Sequence, residues 1–187
     1  MAVVREFRSA ADFWSGMVEP DYQECLNSPA DLRAAFHAAI SLFHMRDWVW
    51  KTDEAAVRAA GFTFTDAAGT TIKVHDARSF AKALEQQCAD FGRVHGIANA
   101  AKHLEIRDIR PVANAPNHAA NTAVKIEGGG SGYNVGPGGY GVGGGSYASR
   151  PRVVLAGSTD MDFSDVAKAV YDMWCNLRAA HGWWPSK

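Results

Sequence analysis

Residues 91–106 read Phe91-Gly-Arg-Val-His-Gly-Ile-Ala-Asn-Ala-Ala-Lys-His-Leu-Glu-Ile106. Val94, Ile97, Ala98, Ala101 and Leu104 recur at steps of three and four, which makes one apolar stripe of an α-helix. His95, Asn99 and His103 recur at steps of four and make a polar stripe beside it. Imidazoles and an amide carried into a packed interface must find hydrogen-bond partners, because a buried polar group without one is costly. The spacing therefore predicts a helix laid against a second helix with a polar line of its own.

That second helix is predicted upstream. Ser28-Pro29-Ala30-Asp31 has the marks of a helix start: Ser28 as cap, Pro29 at the first helical position and Asp31 near the positive end of the dipole. The pattern runs to about Trp50. Leu32, Phe36, Ile40 and Phe43 form its expected core stripe, and His37, Ser41, His44 and Trp48 a polar one, with Asp47 one turn beyond His44. Two such helices can pack with their polar lines meeting.

The remaining elements follow by the same rules. Ser9 caps a first helix to about Met17, which Pro20 is expected to interrupt. Thr52 caps a short helix ending at Gly61. Residues 62–65 and 71–75 alternate around Asp66-Ala-Ala-Gly-Thr70 as a hairpin. Asp76 caps a helix with Phe80, Leu84 and Cys88 inward, and Gly92 is the expected bend after it. Residues 104–111, 121–127 and 152–156 read as three strands of an antiparallel meander. Between the last two strands lies residues 128–146, a glycine-rich excursion that lacks the ending of a phosphate loop. It reads as a flexible hairpin tip, or else as an interaction loop with Tyr133 and Tyr140 as contact residues. Asp162-Phe-Ser-Asp165 starts a final helix that Gly182 ends. The tail tryptophans Trp183 and Trp184 are expected to dock, on this domain or on a second subunit.

The expected fold class is therefore α+β: mainly a helical bundle over about residues 9–104, with a small antiparallel β-meander bearing the glycine-rich hairpin and a C-terminal helix over about 104–182. The whole chain of 187 residues forms one domain. Its net charge of −1 offers no electrostatic footprint for nonspecific nucleic-acid binding. Cys25, Cys88 and Cys175 are dispersed and odd in number, which points to buried free thiols and a cytoplasmic setting. The N-terminus does not read as a signal peptide, and no apolar run reaches membrane-spanning length, so no membrane association is expected.

The chemistry-bearing constellation is His44 and Asp47 on one helix with His95, Asn99 and His103 on the other. As a reactive site, a histidine would act as general acid or base, a carboxylate would orient it and an amide would hold an oxygen. As structure, the same groups would form a paired network, with Asp47 accepting from an imidazole or from Arg93. Metal ligation has little support: His95 and His103 are separated by Asn99, a poor transition-metal ligand, and no metal or other cofactor is expected. Ser41 lacks the elbow motif of a serine nucleophile.

Asn99-Ala-Ala-Lys-His103 on a late helix, after a long helix carrying His44 and Asp47, resembles the HEPN superfamily over roughly residues 28–104. The resemblance implies a small helical bundle. Many members are RNases of toxin–antitoxin and phage-defence systems that act without metal at a dimer interface. Their motif is an arginine, often a polar residue, three further residues and a histidine. Asn99 matches the polar position and His103 the histidine, while Ala98 stands at the arginine position. The resemblance implies His103 as acid or base, Asn99 as a positioning group and His44–Asp47 as a supporting pair, in a homodimer acting on RNA. Some members are inactive binding or assembly modules. The alternative is thus a noncatalytic interaction protein, binding a protein partner through the glycine-rich hairpin and the Trp183–Trp184 tail.

Overall fold

The computed structural model describes residues 6–102, 153–155 and 161–184. Its spine is α3 (Leu32–Ala59). The face of α3 that enters the core is lined with small residues, Ala34, Ala35, Ala38 and Ala39, followed by Leu42, Met45 and Val49. Alanines let neighbouring backbones approach closely, so α3 is packed by the other helices on several sides. Its most extensive partner is α5 (Ala89–Lys102), as the two-stripe pattern predicts.

The chain enters through α1 (Ala10–Phe13), a wide π turn over Trp14–Val18, and α2 (Glu19–Asn27). Ser9 is the cap, accepting from Asp12 N–H at 3.1 Å. Pro20 does not interrupt the helix. It sits in the first turn of α2, directly after the π turn in which Glu19 N–H reaches back to the Trp14 carbonyl. The expanded turn accommodates the proline that a regular helix interior would reject.

α3 starts one turn later than Ser28-Pro29 predicts. Asp31 is the cap, accepting from Arg33 N–H at 2.8 Å. The Pro29 carbonyl is held instead by Val153 N–H at 2.7 Å, a tie to the far end of the chain. At its other end α3 runs through the expected Thr52 boundary with a kink at Asp53 (φ −126°, ψ 23°). The Thr52 hydroxyl lies 3.0 Å from the Trp48 carbonyl and accepts from Ala10 N–H at 3.3 Å, pinning the start of α1 to the kink.

The hairpin forms as read: β1 (Thr63–Thr65) pairs antiparallel with β2 (Thr71–Lys73), with Phe64 opposite Ile72. Asp66 closes the turn by accepting from Ala68 and Thr70 N–H, and Gly69 takes φ +81°. Asp76 caps α4 (Ala77–Gln87) in a capping box with Ser79. The break before α5 falls at Cys88, which is extended, rather than at Gly92.

Of the three predicted strands, residues 104–111 and 121–127 lie outside the described residues, as do residues 128–146. The third is β3 (Val154–Leu155), paired antiparallel with β4 (Met161–Asp162). Asp162 caps α6 (Phe163–His181), and Gly182 ends it in the left-handed conformation, φ +65°. The described chain is thus mainly helical, with small two-stranded antiparallel ladders.

The core is aromatic where α4, α5 and α6 meet: Phe80, Phe91 and Trp174 pack edge to face. Trp183 and Trp184 join them, at 1% and 4% exposure. They are part of this chain's own core. Burial against Phe62, Phe80 and Trp174 removes them as a docking surface for a partner. Among the described residues, no helix is long and apolar enough to cross a membrane.

Candidate functional site

Of the expected core stripe Leu32, Phe36, Ile40 and Phe43, only Phe43 is fully in the core. Leu32 is exposed, and Phe36 and Ile40 are only partly covered. These residues, with Asp31, Arg33 and His37, line an open groove of about 580 Å³ along α3. The correction has a geometric basis: the alanine face turns inward, which leaves the bulkier residues at the border of the buried face of the same helix. Leu32, Phe36, Ile40 and His44 succeed one another at steps of four. His44 therefore stands one helical turn beyond the groove's apolar floor.

His44 and Asp47 are joined. His44 Nδ1 lies 2.8 Å from Asp47 Oδ2, with the two side chains 28% and 45% exposed. Arg46 Nε donates to the other carboxylate oxygen, Oδ1, at 3.3 Å. Burial alone would raise the Asp47 pKa, but the hydrogen bonds and charges of His44 and Arg46 outweigh it and hold the carboxyl below its ordinary value. An ionised Asp47 only accepts, so His44 presents its Nδ1 proton to it and turns Nε2 away from the carboxylate.

Phe43 couples this pair to α5. The His95 imidazole stacks on the Phe43 ring, centroids 4.2 Å apart and planes 11° from parallel. The Arg46 guanidinium carbon sits 3.9 Å from the same ring centroid. Both groups cannot share one face at these distances, so the buried phenyl ring lies between an imidazole and a guanidinium. His95 Nδ1 in turn lies 2.9 Å from Glu85 Oε1, which α4 supplies. A continuous array results: Glu85, His95, Phe43, Arg46, Asp47, His44.

Asn99 is half-buried on α5, one turn after His95 on the predicted polar line. His103, Tyr133 and Tyr140 lie outside the described residues. Arg93 does not reach Asp47; it pairs with Asp90 on its own helix. Ser41 is buried and its hydroxyl donates to the Ala38 carbonyl at 3.3 Å rather than serving as a nucleophile beside His44.

Sequence reasoning missed Arg46 and Glu85. Arg46 is adjacent to Asp47 in the chain and was legible as its neighbour. Glu85 precedes the break at Cys88, and nothing local shows that α4 folds back to bring it to His95. A second group was also missed: Asp21 and Glu24 on α2 with His37 on α3. Its signal was the three-residue step between the two carboxylates.

Comparison of the chain with protein-family models, with curated proteins and with solved structures finds no match in any of the three.

Proposed function

We propose that this protein is a HEPN-like, metal-independent RNA-cleaving domain whose acid–base centre lies on the exposed edge of the α3–α5 pair. The observation that carries this reading is the 2.8 Å His44–Asp47 pair, open to solvent rather than sealed in the core. In the proposed mechanism His44, oriented by Asp47, accepts the 2′-hydroxyl proton through Nε2. The 2′-oxygen then attacks the adjacent phosphorus, and the 5′-oxygen leaves with a proton supplied by His103. Asn99 positions a phosphate oxygen, and Arg46 balances developing negative charge in place of the motif arginine absent at position 98. Self-association of α3–α5 faces would complete the centre. Cys25, Cys88 and Cys175 are free thiols, which supports a reducing, cytoplasmic setting.

The test is cleavage of a mixed-sequence RNA by purified full-length protein in excess chelator. The expected result is cleavage that chelator leaves intact and that His44→Ala and His103→Ala each reduce by about 10²–10⁴-fold. Wild-type protein inert toward RNA, or cleavage unchanged in both variants, overturns it. A noncatalytic interaction protein is the second reading, favoured by the partly open apolar line of Leu32, Phe36 and Ile40. On that reading His44→Ala has no effect on function, whereas deletion of residues 128–146 abolishes association without unfolding the domain.

A further inference from the structure

Asp21 and Glu24 stand three residues apart on α2, so their carboxylates leave the helix on the same side. His37 faces them from α3. One donor atom from each of the three, two carboxylate oxygens and an imidazole nitrogen, all lie within 4.8 Å of one another. We propose that Asp21, Glu24 and His37 bind a first-row divalent metal ion, Zn²⁺ or Mn²⁺, between α2 and α3.

Three observations support the assignment. First, the donor set is mixed and comes from two helices, as three-ligand sites with open positions for water require. Ligands at about 2.1 Å from one ion sit about 3.0–3.4 Å apart, so small side-chain rotations close the site. Secondly, the buried Ser41 hydroxyl lies beside the Asp21 carboxylate and favours its ionised form, while its own hydrogen bond goes to the Ala38 carbonyl at 3.3 Å. Thirdly, His37 is exposed and also lines the open groove along α3, so water can reach its side of the site.

Glu24 has a competing partner in Arg33, at 2.7 Å, but both side chains are well exposed. A screened surface pair of this kind yields readily to a divalent ion.

The test uses full-length protein stripped with chelator and titrated with Zn²⁺ or Mn²⁺ alone, followed by calorimetry and thermal melting. The expected result is one saturable site and a higher Tm with metal. His37→Ala and Asp21→Asn should each weaken binding about tenfold or more. Arg33→Ala should tighten binding, because it releases Glu24; a site sustained merely by the packing of α2 on α3 would not respond in this way. His75→Ala, at an exposed position on a different element, is the control. Absence of saturable binding by either ion overturns the proposal, as does binding unchanged in both His37→Ala and Asp21→Asn. RNA cleavage in chelator is measured separately, so this proposal and the RNase reading stand or fall independently.

Discussion

The indole N–H of Trp174, on α6, donates to the main-chain carbonyl of Leu42, in the middle of α3, at 3.0 Å. Both residues are completely buried. The bond joins elements 132 positions apart and satisfies an indole that would otherwise be costly inside the core. Trp174→Phe keeps an aromatic ring against Phe80 and Phe91 and removes the donor, for an expected loss of about 1–2 kcal/mol. Trp174→Ala also opens a cavity and should cost about 3–5 kcal/mol. Urea denaturation followed by far-UV circular dichroism checks both; equal losses in the two variants would show that the ring contributes nothing beyond the bond.

Most element boundaries were legible because their causes are local. Asp76 with Ser79, Asp162 before α6 and Gly182 after it all act within a turn of their own position. The errors arose where a distant partner decided. Pro29 is withheld from α3 because Val153 occupies its carbonyl. In α3, periodicity cannot tell how far an apolar face will be covered: Phe43 of the bulky stripe is buried, whereas Leu32, Phe36 and Ile40 border the alanine face, which permits close helix packing. In the candidate site, His44–Asp47 is an i,i+3 pair and could be read from spacing. Glu85–His95 and the Phe43 sandwich depend on how α3, α4 and α5 assemble, which no local pattern encodes.

If Asp47 orients His44 for catalysis, Asp47→Asn should lower kcat for RNA cleavage at least about tenfold while changing KM little. The neutral amide can present its N–H₂ to Nδ1, which favours the wrong tautomer for a base at Nε2. Arg46 loses its carboxylate partner in the same variant, so Arg46→Ala is the needed comparison. Steady-state kinetics on one defined RNA separates the two. A loss confined to KM would assign Asp47 to substrate binding.

Gly16 lies within the π turn, and a Cβ placed there would fall 2.3 Å from Cε1 of Phe7. Phe7 packs edge-on against both Phe13 and Trp48. Gly16→Ala must therefore displace the Phe7 ring, at an expected cost of about 1–2 kcal/mol, with the helices retained. Phe7→Ala together with Gly16→Ala removes the clash, so the double variant should cost less than the sum of the singles. A thermodynamic cycle from chemical denaturation measures that coupling; strict additivity would mean that the ring does not occupy this notch in solution.

Asp76 provides a pH test of the α4 cap. The hydrogen bond from the Ser79 backbone N–H, aided by the adjacent Ser79 hydroxyl and the neighbouring His75 charge, holds its carboxyl below the ordinary value of 3.8. A depressed folded-state pKa means that the unfolded chain binds the proton more readily. The stabilisation is therefore fully present above the unfolded value and is lost as pH falls through the folded one. Asp76→Asn retains a capping oxygen but cannot titrate, so the Tm difference between wild type and this variant should be fully present at about pH 5 and shrink below about pH 4. Asp76→Ala should melt lower than Asp76→Asn at neutral pH, because it also loses the cap. Thermal melts of the three proteins across that pH range decide the matter: a difference that grows on acidification would place the charge of Asp76 on the destabilising side.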